Sequence, residues 1–379
     1  MIASPAQLFR RLRAAPSGVL AALKAAADHQ YAASFHLIVR DPTRTNGFAL
    51  FGGHRLRHHL SRIYFGGGTK HGLKLGWHRG DIEAAAERLV RQYGLALFTG
   101  DSIPGALADR ALRLPFMVEL EKAMPPTLEG PGAGWTRSAL TDIARVKRAG
   151  FRCTVDSAEA FIGEFCRDFT SPSMKQRHGA EFIPPSTRVI RNIATSEGAE
   201  LLRVWLDGIW VGGILNSLES DGYRLRYLGW RHGDPGLLKQ HIVPALYWFS
   251  LRRAFELGHV RCLMGGTWPS LDDGLIFFKG KWGARLDATS QRYPDLHVLL
   301  NPAHETCRRF LTRHSLVTRG AGGDLVVLST RARSEMRVPP SILASVSRWY
   351  RWRWPEDVSL QVDHPDVPAC LRPWLVQET

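Results

Sequence analysis

The stretch 271–286, LDDGLIFFKGKWGARL, sets Lys279, Lys281, Trp282 and Gly283 directly behind the apolar triplet Ile276, Phe277 and Phe278. A lysine pressed against aromatic side chains has two uses. Its ammonium meets a negative or polar group in a site, or its stem runs past the rings and the charge reaches water. Other chemistry is thinly represented. No Ser-His-Asp or Cys-His arrangement accompanies a nucleophile-elbow signature, so covalent catalysis is not indicated. The 15 histidines show no trustworthy metal spacing, and His58-His59 reads as surface. The five cysteines, Cys153, Cys166, Cys262, Cys307 and Cys370, are odd in number and form no CxxC pair. That spacing suits neither a zinc site nor a disulfide framework, and points to a reducing cytoplasm.

Charge narrows the partners. A formal net charge of +15 favours phosphate-bearing partners: a nucleotide, RNA or an anionic membrane surface. An arginine-preferring genome gives the same composition. The basic residues concentrate in two places. The segment TRSALTDIARVKRAGF (136–151) carries Arg137, Arg145, Lys147 and Arg148 on one face, and SRWYRWRWPED (347–357) interleaves aromatics with arginines. Arginine beside aromatic rings binds phosphates and stacks bases, or suits a membrane interface. Trp349, Trp352 and Trp354 also suit plain docking of the tail on the body.

The elements that must position these residues are legible from periodicity. Length and composition, 379 residues with 44% hydrophobic, predict two domains with a small extension, because single cores seldom exceed ~250–300 residues. No run reaches the ~20 apolar residues of a membrane span. The N-terminal stretch 1–30 is read as helical, since Pro5 and Pro16 interrupt any targeting-type apolar region. Strands are expected at 34–41, 47–53 and 62–68, then a helix at 81–94 capped by Asp81 and ended by Gly94, then a buried strand at 95–100. Glycine-rich YFGGGTKHG (64–72) reads as a turn. In 136–151 the helical stripe is Leu140, Ile143, Val146 and Ala149. A helix is expected at 161–169. Asp207-Gly208 and Asp221-Gly222 split 199–230 into three strands, as tight-turn dipeptides do. A long helix follows at 236–259, with Leu238, Ile242, Ala245, Leu246 and Phe249 on one face and a kink or late start at Pro244. A short strand at 260–266 precedes the lysine stretch, which is read as an apolar strand running into Lys279. Beyond 300, a helix at 303–314 and a strand at 324–330 complete the reading. Each half therefore shows strands, helix, short strand, the order two copies of one α/β unit would give.

The succession VWLDGIWVGGIL, YRLRYLGW, a long helix ending AFELGH, and DDGLIFFKGKWGA resembles the second domain of FemAB-like transferases. These belong to the GNAT acyltransferase superfamily, together with the acyltransferases called BioF2-like. Gly274-Leu275, Phe278-Lys279 and Trp282-Gly283 match the family's GL..FK..wG pattern. RSALTDIARVKRAGF is similar to the basic helix that links the family's two domains. The resemblance covers about 130–290 well and the first 130 residues by element order.

The resemblance implies an α/β fold with mixed sheets: an N-terminal GNAT-like domain (1–135), a catalytic GNAT-like domain (136–300) with the basic helix, and a C-terminal extension (301–379). It implies an N-acyltransferase that forms an amide on an amine-bearing acceptor, with no covalently bound cofactor. The donor is an aminoacyl-tRNA or an acyl-CoA cosubstrate; the charge leans to tRNA. It carries Lys279 to a place near the donor's reacting carbonyl, with Phe278 as the neighbouring wall. A cation aimed at the negative oxygen of a tetrahedral intermediate is worth ~3–4 kcal/mol. Lys281, Arg145 and Arg148 are further candidates for donor contact.

GWRHGDPG (229–236) occupies the place where this superfamily cradles a pyrophosphate on main-chain N–H groups. Arg231, Gly233 and Gly236 are the donor-binding candidates. Pro235 removes one N–H and Asp234 repels a phosphate, so a turn with proline at a helix start is the competing reading. For a general base the candidates are Glu219, Asp221, His232, Asp234 and Asp272-Asp273, with His232 and Asp234 favoured by their place at the junction. Two other classes stay open beside an aminoacyl transferase. One is an acyl-CoA-dependent acyltransferase; the other is a silent GNAT-like module that binds RNA or touches a membrane surface. Localisation is expected to be cytoplasmic or membrane-peripheral.

Overall fold

The computed structural model describes residues 35–39, 47–51, 71–75, 82–99, 103–129, 133–178, 186–220, 222–290, 292, 295–354 and 367–378. The expectations for 1–30, Asp81, His58-His59, 62–68 and Asp221 lie outside them. The chain mixes helices with mixed sheets and divides into two compact units. The first holds 1–116, 293–313 and 350–377; the second holds 117–292, 314–349 and 378–379. These limits differ from boundaries at 135 and 300, because strand pairing reaches across sequence.

In the first unit, β1 (Phe35–Val39) pairs antiparallel with β2 (Gly47–Phe51) and with β3 (His71–Leu75). Helix α1 (Ile82–Tyr93) then leads to β4 (Leu95–Thr99), which runs parallel to β2. Gly94, at φ 85°, ends α1 where the sequence places a stop. The apolar runs of β2 and β4 are buried, with Phe51 stacked on Phe98 at 4.4 Å. β5 (Leu112–Pro115) completes this sheet through β13 (Asp295–Leu300), which lies between β4 and β5.

The second unit is built on a seven-stranded sheet. Its strands are β6 (Val118–Ala123), β7 (Arg152–Ser157), β8 (Ala199–Leu206), β9 (Ile209–Glu219), β10 (Gly222–Trp230), β11 (Arg261–Thr267) and β12 (Arg285–Asp287), in the order β12-β6-β11-β10-β9-β8-β7. Asp207 (φ 50°) and Gly208 (φ 77°) make the tight turn between β8 and β9. Alternation along the strands feeds two cores. Leu202, Val204 and Ile214 pack with α2 (Arg137–Ala149) and α7 (Ile242–Glu256). Their neighbours Leu201 and Leu215 pack on the other face with α3 (Ala158–Glu164) and α5 (Thr187–Ala194).

One helical expectation is corrected and two are refined. The buried stripe of α2 is Ala139, Asp142, Ile143 and Val146, with Leu140 48% exposed. The stripe is rotated because Asp142 turns inward to an ionic partner described below. The helix expected at 161–169 is present and longer: α3 runs through a π-helical turn (Phe165–Thr170) into α4 (Ser171–His178). The long helix at 236–259 is two, α6 (Pro235–Lys239) and α7, broken at His241 with φ 68°. Pro244 sits in the first turn of α7, where its missing N–H costs nothing.

The lysine stretch is not a strand. Residues Gly274–Lys281 form helix α8, opened by Asp273, whose Oδ1 accepts from Leu275 N at 2.7 Å. Helical spacing turns Ile276, Lys279 and Gly280 inward together, while Phe277 is 49% exposed. Beyond 300, α9 (Glu305–Arg313) follows β13 in the first unit, and β14 (Leu316–Arg319) with β15 (Leu325–Ser329) forms a hairpin in the second. Trp349 and Trp352 are buried in the strand Arg348–Trp352, as docking of the aromatics requires. Among the described residues no helix is long and apolar enough to cross a membrane.

Candidate functional site

The second sheet opens between two parallel strands. β10 and β11 pair only at Tyr223–Cys262 and Arg224–Leu263. Past those pairs β10 bulges between Leu225 and Tyr227, and β11 shifts register against β6 between Leu263 and Gly266. Gly265 takes φ 77°, a conformation glycine adopts without strain. Two irregularities on facing strands part them into a fork, and bulges at such places re-aim backbone groups.

Lys279 fills the fork from α8. Its Nζ donates to the carbonyl oxygens of Gly265 at 2.9 Å and Gly266 at 3.3 Å. The side chain is buried and binds main-chain oxygens in place of a carboxylate. Burial pushes its pKa down to about 8, while Asp273 and Glu119 raise it and Arg177 lowers it further. A lysine so held is a donor of hydrogen bonds that loses charge just above neutral pH. Phe278, the residue before it on α8, lies edge-on to Tyr247 of α7 with centroids 5.0 Å apart. Tyr247 is itself buried, which pushes its phenol up to about 12, with Arg177 of α4 lowering it. Arg177 thus acts electrostatically on both Lys279 and Tyr247.

Beside the fork lies a charged network that sequence reading missed. Arg224 on β10 binds Glu119 on β6 at 2.7 Å and also Glu219 on β9. Glu119 accepts from Ser290 at 2.9 Å, and Arg226 binds Glu219 and Ser217. Arg224 and Glu119 are both buried. The signal was an arginine and a glutamate alternating into otherwise apolar strands, YRLRYLGW and VELEKA. Strand pairing alone brings residues 119 and 224 together.

The 229–236 junction is shaped by contact with α4 and the π-helical turn. Ser173 is buried; its hydroxyl contacts Phe169 O at 2.6 Å and Trp230 O at 2.9 Å, and accepts from Trp230 N at 2.8 Å. Gly229 has no room for a side chain: a Cβ would stand 2.5 Å from the carbonyl carbon of Phe169. Gly233, at φ 66°, would bring one within 2.8 Å of Pro172 O. Arg231 donates to Trp210 O at 3.2 Å. His232 is exposed at φ 52°. Asp234 is the N-cap of α6, and its Oδ1 accepts from Gly236 N at 2.7 Å. The carboxylate therefore occupies the main-chain donor that a phosphate would use, and Pro235 offers none. Asp234 has a structural task, helix capping, beside its candidacy as a base.

The remaining candidates separate. Lys281 does not share the fork with Lys279. Its Nζ pairs with Asp142 of α2, both side chains being largely buried, and it lies 4.2 Å from the Phe278 ring centroid. Thr136 Oγ1 donates to Lys281 O at 2.9 Å, so Lys281 staples α2 to α8. Arg145 and Arg148 are exposed on the outer face of α2. Asp273 caps α8, and Asp272 binds Arg331 and Ser315 N. Glu219 is held by Arg224, Arg226 and Arg292. A cavity of about 510 Å³ lies elsewhere, between α2 and α7, lined by Val146, Phe151, Trp248, Phe249 and Phe255. It contains none of these polar groups.

Comparison with known proteins gives a fold-level likeness only. No family model matches the chain, and no curated protein does. FemX is similar at 12% identity over 70% of this chain and 84% of that one, TM-score 0.36. L-PGS from Bacillus licheniformis is similar at 12% identity over 70% and 81%, TM-score 0.35. An aminoglycoside acetyltransferase from an uncultured soil metagenomic sample, in complex with sisomicin, is similar at 13% identity over 36% and 89%, TM-score 0.28.

Proposed function

We propose that the β10–β11 fork is an acyl-donor site and that the protein is an N-acyltransferase of the GNAT type, forming an amide on an amine acceptor. The observation that carries this reading is Lys279, buried in the fork and held by two carbonyl oxygens. Parted parallel strands leave main-chain groups able to pair with an extended amide-bearing donor, as an added strand would. A donor carbonyl placed there takes a hydrogen bond from Lys279. As the amine attacks, negative charge grows on that oxygen, and a desolvated ammonium stabilises it more than water would. The C–N bond forms, the donor's acyl C–O or C–S bond breaks, and the alcohol or thiol leaves carrying the proton that the attacking nitrogen loses.

For the donor we favour an aminoacyl-tRNA. Asp234 already occupies the N–H of Gly236, which weakens the 229–236 loop as a diphosphate cradle. Exposed Arg145 and Arg148 and the net charge suit a polynucleotide. The acyl-CoA reading is the alternative, supported by parted strands whose main-chain groups can pair with an amide-bearing donor arm. The test is mass spectrometry of ligands co-purifying with the native protein, with and without RNase. It is followed by amine acylation assays with the donor class found, using wild type and Lys279→Met. Bound tRNA with turnover lost in Lys279→Met supports the reading. Retained coenzyme A moves the donor to the thioester class. Anion binding without any turnover on either donor would mark a silent module.

A further inference from the structure

We infer that β7 is the contact through which two copies of this chain pair, edge to edge and antiparallel, about Thr154. The strand Arg152–Ser157 is last in the seven-stranded sheet and pairs with β8 alone, so its outer main-chain groups face away from the sheet. Its residues are exposed or half-buried throughout, and Val155 is 45% exposed. Sheet edges of this kind are templates for another strand unless something blocks them. Among the described residues no strand pairs with its outer edge, and the strand has no proline and no bulge in its pairing with β8.

The residues select the partner. A two-fold axis through Thr154 sets Arg152 opposite the partner subunit's Asp156, and Asp156 opposite the partner's Arg152, on one face. On the other face it sets Cys153 against the partner's Val155, twice. Two opposite-charge pairs and two apolar pairs result, the cross-strand combinations that stabilise antiparallel sheets. A parallel match instead opposes Arg152 with a second Arg152 and Asp156 with a second Asp156. A one-residue slip moves the charges onto the wrong face. RCTVDS is thus complementary to itself in one register.

The local hydrogen bonds agree with this. Arg152 is exposed and has no carboxylate partner among the described residues. Asp156 is already oriented: Oδ2 accepts from Arg203 Nε at 2.8 Å and Thr154 Oγ1 at 2.7 Å, and Oδ1 accepts from an Arg203 terminal nitrogen at 3.0 Å. A carboxylate offers about four lone-pair directions, which leaves room on Oδ1 for one more donor. Arg203 is fixed in turn by stacking, its guanidinium 3.8 Å from the Phe161 ring centroid. The acceptor for Arg152 is therefore pre-organised, and Arg152 is the group left to find it.

The experiment is light scattering and analytical ultracentrifugation of the full chain over a concentration series, with two variants. Wild type is expected to reach twice the monomer mass. Arg152→Glu faces the partner's Asp156 with like charge at both ends and should raise the dimer Kd by tenfold or more, about the effect of reversing two exposed ion pairs. Thr154→Cys in a Cys153→Ser background should give a covalent dimer under mild oxidation. Opposed Cα atoms in an antiparallel pair lie ~4.5–5.5 Å apart, within the ~4.4–6.8 Å a disulfide spans. The Cys153→Ser background alone controls for exposed Cys370. A monomer at every concentration overturns the inference. So does a dimer whose Kd Arg152→Glu leaves unchanged.

Discussion

Lys279 Nζ stands 2.9 Å from Gly265 O, so its buried ammonium is hydrogen-bonded by main-chain carbonyls, while the carboxylates of Asp273 and Glu119 act on it through space. Its pKa is lowered to about 8 from an unfolded value of ~10.4. The folded state therefore binds fewer protons than the unfolded chain between those values. Its charged form costs stability below pH 8, and the cost is relieved as pH rises through the window, on the order of 3 kcal/mol in all. Buried thiols act oppositely: Cys262 and Cys307 are raised to about 12 by burial and lose stability for the fold above pH ~8.5. The expected result is thus a difference. Unfolding in urea at pH 7 to 10 should show Lys279→Met more stable than wild type at pH 7, with the gap closing toward pH 10. A constant gap would contradict the lowered pKa. On the proposed reaction, turnover should also fall as pH passes about 8.

Asp142 and Lys281 form a buried ion pair between α2 and α8. Asp142→Ala strands a buried ammonium and should cost ~3–5 kcal/mol. The double change Asp142→Leu with Lys281→Met should cost much less, because neither charge is left alone. Denaturant midpoints for the three proteins decide this. Equal losses for single and double variants would show that the pair does not act as a unit.

Arg224→Met leaves Glu119 buried without its guanidinium, though still bonded to Ser290. A loss of ~3–5 kcal/mol is expected by the same reasoning. Glu119 also acts on Lys279, so Glu119→Gln should lower the pH at which turnover falls. An unmoved pH profile would separate the network from the fork.

Gly229→Ala drives a methyl group to 2.5 Å from the backbone of Phe169. The π-helical turn must move, at ~1–3 kcal/mol or more. The loss should be largest in thermal unfolding, whereas Gly105→Ala, which meets nothing within 4 Å, should stay near wild type.

Asp234→Ala removes the cap of α6 and should cost ~1 kcal/mol. It also frees the N–H of Gly236. If the 229–236 loop takes a diphosphate, binding of coenzyme A measured by calorimetry should strengthen in this variant; if the donor is a tRNA ester, it should not appear.

Local signals settled much of the element inventory. Asp207-Gly208 marks a turn because those two residues tolerate positive φ wherever they stand, and Gly94 ends α1 for the same reason. The strands 199–206, 209–219 and 222–230 follow from those turns and from alternation. Lys279 was legible as the residue to watch because an ammonium behind an aromatic pair is costly unless used. What the sequence could not decide is which way a side chain faces when its element has two candidate periods. GLIFFKGK reads as a strand by composition, yet it is a helix, and only 3.6-residue spacing buries Lys279 while sending Phe277 outward. Lys281, two residues on, turns to Asp142, a partner 139 positions away. The pairing of β6 with β11, which brings Glu119 to Arg224 across 105 positions, is set by the sheet as a whole. So is the parting of β10 from β11. Turns and caps are decided by the conformational energy of a few adjacent residues. The fork, its lysine and its buried charges exist only where distant strands meet.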